Sequence, residues 1–135
     1  MKPSHDLIVI GGGAAGLAAA QYGARANLRT LVVEQMANGG QCLLIEGLEN
    51  YPGFPEPIDG DEFTERFEQQ AKQFGAEFQI ATVEEVRKDG DIFRLNTSEG
   101  ELTAYSVILA TGAKHRTLDV PGEAEMQGRG VSYCA

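Results

Sequence analysis

Cysteine is nearly absent from this chain. Its 135 residues hold two, Cys42 and Cys134, which excludes the disulfide framework of a small secreted domain. Positive charge is also scarce. Eleven Lys and Arg stand against 20 Asp and Glu, a net charge of −9, and the basic residues are scattered with no aromatic–basic stripe. That balance excludes a nucleic-acid surface and predicts no attraction to anionic lipid. Long apolar runs are missing too. The opening MKPSHDLIVIGGG has one short apolar stretch that glycine breaks at once, unlike a signal peptide and far below the ~20 residues of a membrane span. A cytoplasmic protein is expected. The two histidines, His5 and His115, read as exposed loop residues, and nothing suggests a metal site. No repeat or low-complexity tract is present.

Glycine is what the chain has in excess: 17 of 135 residues, about 13% against a usual value of about 7%. Many of these glycines lie in local clusters (11–13, 39–40, 128 and 130), which points to close backbone approaches rather than a flexible polymer. Hydrophobic content of 42% and charged content of 23% are those of an ordinary globular domain with a real core.

DLIVI, 6–10, reads as a strand of a buried parallel sheet because it is nearly all apolar. A helix is expected over 14–26 and a second strand over 30–33, together a βαβ unit. Residues 36–60, with five glycines and three prolines, read as a long ordered loop of the functional kind. DGDEFTERFEQQAKQFG is the clearest helix. Asp59 and Glu62 have capping-box spacing, Phe63, Phe67, Ala71 and Phe74 form one apolar stripe, and Gly75 stops it. AEFQI, 76–80, alternates like a strand. Segments 81–88, 92–97 and 102–105 read as an antiparallel meander with turns at Asp89-Gly90 and Ser98-Glu99-Gly100. SVIL, 106–109, reads as a return to a buried strand.

The first glycine cluster carries chemistry. Gly11, Gly13 and Gly16 form G-x-G-x-x-G between a strand and a helix. Gly11 permits the tight turn, Gly13 lets a pyrophosphate approach the backbone, and Gly16 lets helix and strand pack closely. The helix N-terminus adds unpaired N–H groups and the positive end of a dipole. Glu34 ends the second strand, where a carboxylate can accept from both ribose hydroxyls and disfavours a 2′-phosphate. The ligand bound here is thus expected to be FAD or NAD rather than NADP. The meander followed by SVILATGA departs from the repeated βαβ order of a nicotinamide domain.

DLIVIGGGAAGLAAA, GGQ at 39–41, ENYPGFPEPIDG at 49–60, ATGA at 110–113 and VPGEAEMQGRGVSYCA at 120–135 together resemble the N-terminal portion of the bacterial-type, low-molecular-weight thioredoxin reductases. The likeness runs over essentially the whole chain. It implies an α/β, Rossmann-like FAD-binding domain of the glutathione-reductase type, three-layer ββα with a β-meander insertion and incomplete in this chain. Residues 1–118 would be the first segment of that domain. Residues 119–135 would be the crossover and the start of an NAD(P)H-binding domain. The activity implied is thioredoxin-disulfide reduction, with electrons passing from NADPH (or NADH) through FAD to a Cys-x-x-Cys disulfide and on to thioredoxin or a similar small redox protein. A homodimer is the family's usual state.

The resemblance also assigns residues. Gly11, Gly13, Ala14, Ala15, Gly16 and Glu34 would hold the ADP half of FAD. Gly40 and Gln41 would lie along its flavin side, and Asn50, Tyr51 and Pro52 would shape the pocket near the ring. Thr111 and Gly112 would close over the cofactor again. Cys134 would be the first catalytic cysteine of the redox pair, its partner expected three residues further on. The chain therefore reads as a fragment, inactive alone.

Three positions depart from the family pattern. Ala14 stands where proline is usual, a benign change for a good helix former. CLLIEG, 42–47, replaces a small, threonine-rich run and puts an apolar wall beside the cofactor. His115 stands where proline is common. Cys42 in GGQC resembles the glutathione-reductase class, but Gly47 occupies the position its partner needs, which leaves a lone, half-buried thiol. Two other readings stay open: a disulfide-lacking flavoprotein of the same fold (ferredoxin–NADP reductase or NADH-oxidase-like), and a non-catalytic nucleotide-binding domain.

Overall fold

The computed structural model describes residues 2–133. Strand β1 (His5–Ile10) leads through the glycine turn into helix α1 (Ala14–Arg25), and β2 (Thr30–Glu34) follows. After the long loop come α2 (Gly60–Gln73), β3 (Glu77–Ile80), β4 (Val83–Asp89), β5 (Ile92–Thr97) and β6 (Gly100–Leu109). The strands form one sheet in the order β3-β2-β1-β6-β5-β4. β1 pairs in parallel with β2 and β6, and β2 pairs in parallel with β3. β4, β5 and β6 pair antiparallel.

The apolar run of β1 is continuous because both its faces are covered. Leu7 and Val9 pack with Val32 under Ala20, Ala24 and Ala71 of the two helices. Ile8 and Ile10 face the other way, with Leu31 and Val33, and meet Leu95 and Ala104 of the meander. Half-buried Val83, Phe93 and Leu102 close that side. Helices, parallel strands and meander are thus the three layers of a ββα fold. Each large apolar side chain fully buried between them contributes about 1.5–3 kcal/mol.

The two segments expected at 102–105 and 106–109 are one strand. Ala104 of β6 pairs both with Phe93 of β5 and with His5 of β1, so the strand leaves the meander and enters the parallel ladder without interruption. Nor is its second half buried. Val107 is half-covered, but Ile108 and Leu109 are exposed, Leu109 by 71%. The helices pack on each other and over β1 and β2, leaving this end of β6 little cover among the described residues.

Helix α2 keeps its expected place but not its expected cap. Asp59 sits at the N-cap with extended backbone and makes no side-chain cap bond. Glu62 pairs instead with Arg66, one turn on, so the capping box is not formed. Phe63 and Ala71 are buried and Phe67 is half-buried, whereas Phe74 is exposed. It lies at the C-cap, past the last helical residue, where the stripe turns away from the core. Gly75, at φ +93°, ends the helix as expected.

The loop between β2 and α2 is ordered by its own contacts. Gly40–Leu44 forms a 3-10 turn that periodicity does not reveal. Leu48 and Ile58 exchange backbone hydrogen bonds at 2.7 and 3.0 Å. Gly60 lies so close to the 3-10 turn that a Cβ there would sit 1.8 Å from the Cys42 carbonyl oxygen. No helix among the described residues is long and apolar enough to cross a membrane.

Candidate functional site

The glycine turn sits where β1 ends, flanked by the ends of β2 and β6. Gly11 has φ +105°, and a Cβ on it would lie 2.2 Å from the Ala110 carbonyl oxygen. It is therefore fixed both by its dihedral and by the approach of the Ala110-Thr111 strand end. A Cβ on Gly16 would lie 1.8 Å from the Gly11 carbonyl oxygen, so α1 packs directly onto the turn. Gly13 differs. Its φ is −72°, and a Cβ there would meet nothing nearer than Gly40 Cα at 3.9 Å. The fold tolerates a Cβ at this residue, in ordinary contact with Gly40, so the glycine is not required by packing within the chain. Its absence of a side chain suits a ligand approaching the backbone.

Helix α1 begins at Ala14 with no side-chain cap and no acidic residue in its first turn. Its first N–H groups and the positive end of its dipole are consequently not neutralised from within the helix. An anion suits such an end.

Glu34 closes β2 beside this turn. Its Oε2 accepts the Gly12 N–H at 2.7 Å, and its Oε1 accepts the Met36 N–H at 3.1 Å. An ionised carboxylate has about four lone-pair positions, so capacity remains for two more donors. The following loop folds back on the turn, where Gly39 N–H donates to the Gly12 carbonyl at 2.7 Å. Asn38 is drawn in with it, and its Oδ1 is buried without a hydrogen-bond partner.

A cavity of about 910 Å³ opens here, lined among others by Glu34, Gly40, Gln41, Leu43, Leu44 and Thr111. That lies within the range of ligand sites, roughly 300–1,000 Å³. Gln41 donates from Nε2 to the Ala113 carbonyl, tying the 3-10 turn to the segment that follows β6. Leu43 and Leu44 supply the apolar wall expected of CLLIEG. A smaller cleft of about 160 Å³ brings Gly11, Glu34 and Thr111 together.

The sequence matches the family model described as pyridine nucleotide-disulphide oxidoreductase over residues 5–135. The chain belongs to that family. It is similar to the thioredoxin reductase of Treponema pallidum (strain Nichols), 55% identical over 135 residues, covering all of this chain and 44% of that protein. The thioredoxin reductase of Peptoclostridium acidaminophilum is 46% identical over 135 residues, with 43% of its length covered. The crystal structure of thioredoxin reductase from Streptococcus pyogenes MGAS5005 superposes with a TM-score of 0.87 at 41% identity, over 96% of this chain and 42% of that one. The chain thus spans less than half the length of the curated relatives it matches.

Not every residue expected in the site converges on the large cavity. Asn50, Tyr51 and Pro52 line a separate depression of about 510 Å³ formed by residues 49–55. The Tyr51 ring packs edge-on to Phe63 at 4.8 Å and lies near Phe67 at 6.0 Å, so it belongs to the aromatic cluster on α2. Gly112, at φ +69°, has open space around it. Cys134 lies outside the described residues. Cys42 is a free, half-buried thiol whose pKa burial pushes up, as a lone structural cysteine requires.

Residues 114–133 supply what sequence reasoning missed. His115 is exposed, as expected, but its ring stacks on Tyr133 with centroids 4.9 Å apart and planes at 17°. Both residues line the large cavity, as does Glu123. No periodicity or motif spacing signals this grouping, because it is made by turns alone.

Proposed function

We propose that this chain is the first segment of the FAD-binding domain of a thioredoxin reductase, residues 1–118, with 119–135 the crossover into an NAD(P)H-binding domain. Glu34, Gly40, Gln41 and Thr111 around one cavity beside an uncapped helix N-terminus carry the reading. Similarity over the whole chain to proteins named thioredoxin reductase supports the choice of activity.

The residues present fit FAD. The bare backbone at Gly13 and the start of α1, at Ala14 and Ala15, which has no side-chain cap, suit the pyrophosphate. The spare lone pairs of Glu34 suit the two hydroxyls of a ribose, and its charge opposes a 2′-phosphate. Gly40, Gln41 and Thr111 would line the remainder, with Leu43 and Leu44 excluding water on one side. When bound, FAD supplies a group that accepts two electrons from NADPH (or NADH) and passes them to a disulfide. Cys134 would be one member of that disulfide, reactive as its thiolate. The expected acceptor is thioredoxin or a similar small redox protein, and the expected assembly is a homodimer.

The test is the visible spectrum and turnover of the purified protein that carries this sequence. Bound flavin and NADPH-dependent reduction of a thioredoxin disulfide are expected. Cys134→Ser should abolish disulfide reduction while NADPH still bleaches the flavin. Flavin reduction with no disulfide activity in the wild type would favour the disulfide-lacking flavoprotein. Absence of flavin would sink both.

A further inference from the structure

Residues 114–133 contain no helix or strand, yet one carboxylate gathers them. Glu123 is only 8% exposed. Its oxygens accept the Leu118 N–H at 2.9 and 3.0 Å and the Asp119 N–H at 2.9 Å, and the Tyr133 hydroxyl donates to it as well. The turn does not need this acid to close, since Glu123 N–H already donates to Val120 and Met126 N–H to Gly122. What the carboxylate adds is a grip on a phenol ten residues away. The Tyr133 hydroxyl holds the Glu123 carboxyl below its ordinary range, and Glu123 pushes the phenol up. Both directions favour the paired form. Asp119 is the other acid acting on the phenol.

Tyr133 so held lies flat against His115, and all three residues line the cavity shared by Glu34, Gly40, Gln41 and Thr111. We propose that Glu123 is a positioning residue that seats Tyr133 against His115, making this stacked pair an aromatic wall for the flat ring system of the bound dinucleotide. The inference rests on reading the cavity as a dinucleotide site. Aromatic rings stack face to face with an offset, and a heterocycle of the ligand meets such a wall on the same terms.

The test uses the protein carrying this chain with Glu123→Gln, Tyr133→Phe and the double variant, changes of nearly constant shape that keep the turn. Alkaline titration of phenolate ultraviolet absorbance, read as wild type minus Tyr133→Phe, isolates Tyr133 without any ligand. The same titration in Glu123→Gln, read against the double variant, should lie at lower pH. Affinity for FAD, measured by flavin fluorescence, should fall about threefold to tenfold in each single variant and no further in the double. An unmoved phenol titration overturns the seating. A moved titration with unchanged FAD affinity, or with additive losses in the double variant, overturns the wall. A wild type that takes up no FAD overturns the dinucleotide reading and the wall with it, and is told apart because the titration needs no ligand.

Discussion

Glu34 Oε2 lies 2.7 Å from the backbone nitrogen of Gly12, so the acid that ends the second strand also anchors the turn that ends the first. It shapes the turn, and under the proposed reading its remaining lone pairs would meet a ribose. Glu34→Ala should therefore lower stability by about 1.5–3 kcal/mol, as loss of a hydrogen bond to a charged group does. FAD affinity should fall at least about tenfold, since a tenfold change is ~1.4 kcal/mol. Urea denaturation of the ligand-free protein, followed by FAD titration, separates the two effects. Lost affinity at unchanged stability would show that the contact to Gly12 contributes little.

The last two glycines of the motif, Gly13 and Gly16, should fail in different ways. A methyl at Gly16 meets the Gly11 carbonyl oxygen at 1.8 Å, a backbone collision costing about 3 kcal/mol or more. Gly16→Ala should fold poorly. Gly13→Ala has 3.9 Å of clearance and should stay within about 1 kcal/mol of the wild type, yet lose FAD. Melting temperature and flavin content of the two variants decide it; equal destabilisation would contradict the room for a methyl at Gly13.

At low pH the ion pair between Asp6 and Arg29 becomes visible. The guanidinium donates to both carboxylate oxygens, at 2.7 and 3.1 Å, and holds the Asp6 pKa at about 2 against an ordinary 3.8. A depressed carboxyl pKa contributes stability that is present above the unfolded value and lost as pH falls through the folded one. Wild type should thus lose stability relative to Asp6→Asn between about pH 4 and pH 2. Denaturant midpoints across that window test this, and parallel curves would remove the pair from the account.

Phe63 is 2% exposed and sits between Tyr51 and Phe67, at 4.8 and 4.5 Å. Phe63→Ala should cost about 3–5 kcal/mol and free the 49–55 loop, read as lost stability together with faster proteolysis there. Rapid cleavage of that loop in the wild type would contradict its packing on α2.

The βαβ unit was legible because its signals are local: an apolar strand, glycines at fixed spacing, and an acid where the next strand stops. β6 was misread at Ala104, where the strand exchanges one partner for another; a change of ladder leaves no mark on the side chains. The exposed end of β6 was hidden for a related reason, since SVIL reads apolar whether or not a layer covers it. The 3-10 turn, Gly40–Leu44, is too short for periodicity to mark. At the glycine turn, spacing was enough to bring Glu34 and the motif together, and Glu34 does meet the Gly12 N–H. Tyr51 went to the aromatic cluster because Phe63 offers it an edge. The Glu123–Tyr133 tie joins residues whose intervening chain has no regular structure to read.

Ala110 closes against Gly11 from the far end of the sequence, and β1 pairs with β6 across about a hundred residues of chain. During synthesis, then, the glycine turn emerges first and waits. Its neighbour on one side does not exist until nearly the whole segment has left the ribosome, so a ligand meets a finished cradle only after the meander has folded. The cradle at Gly11 thus depends on the meander, and a defect there, remote in sequence from the glycine turn, is enough to leave it incomplete.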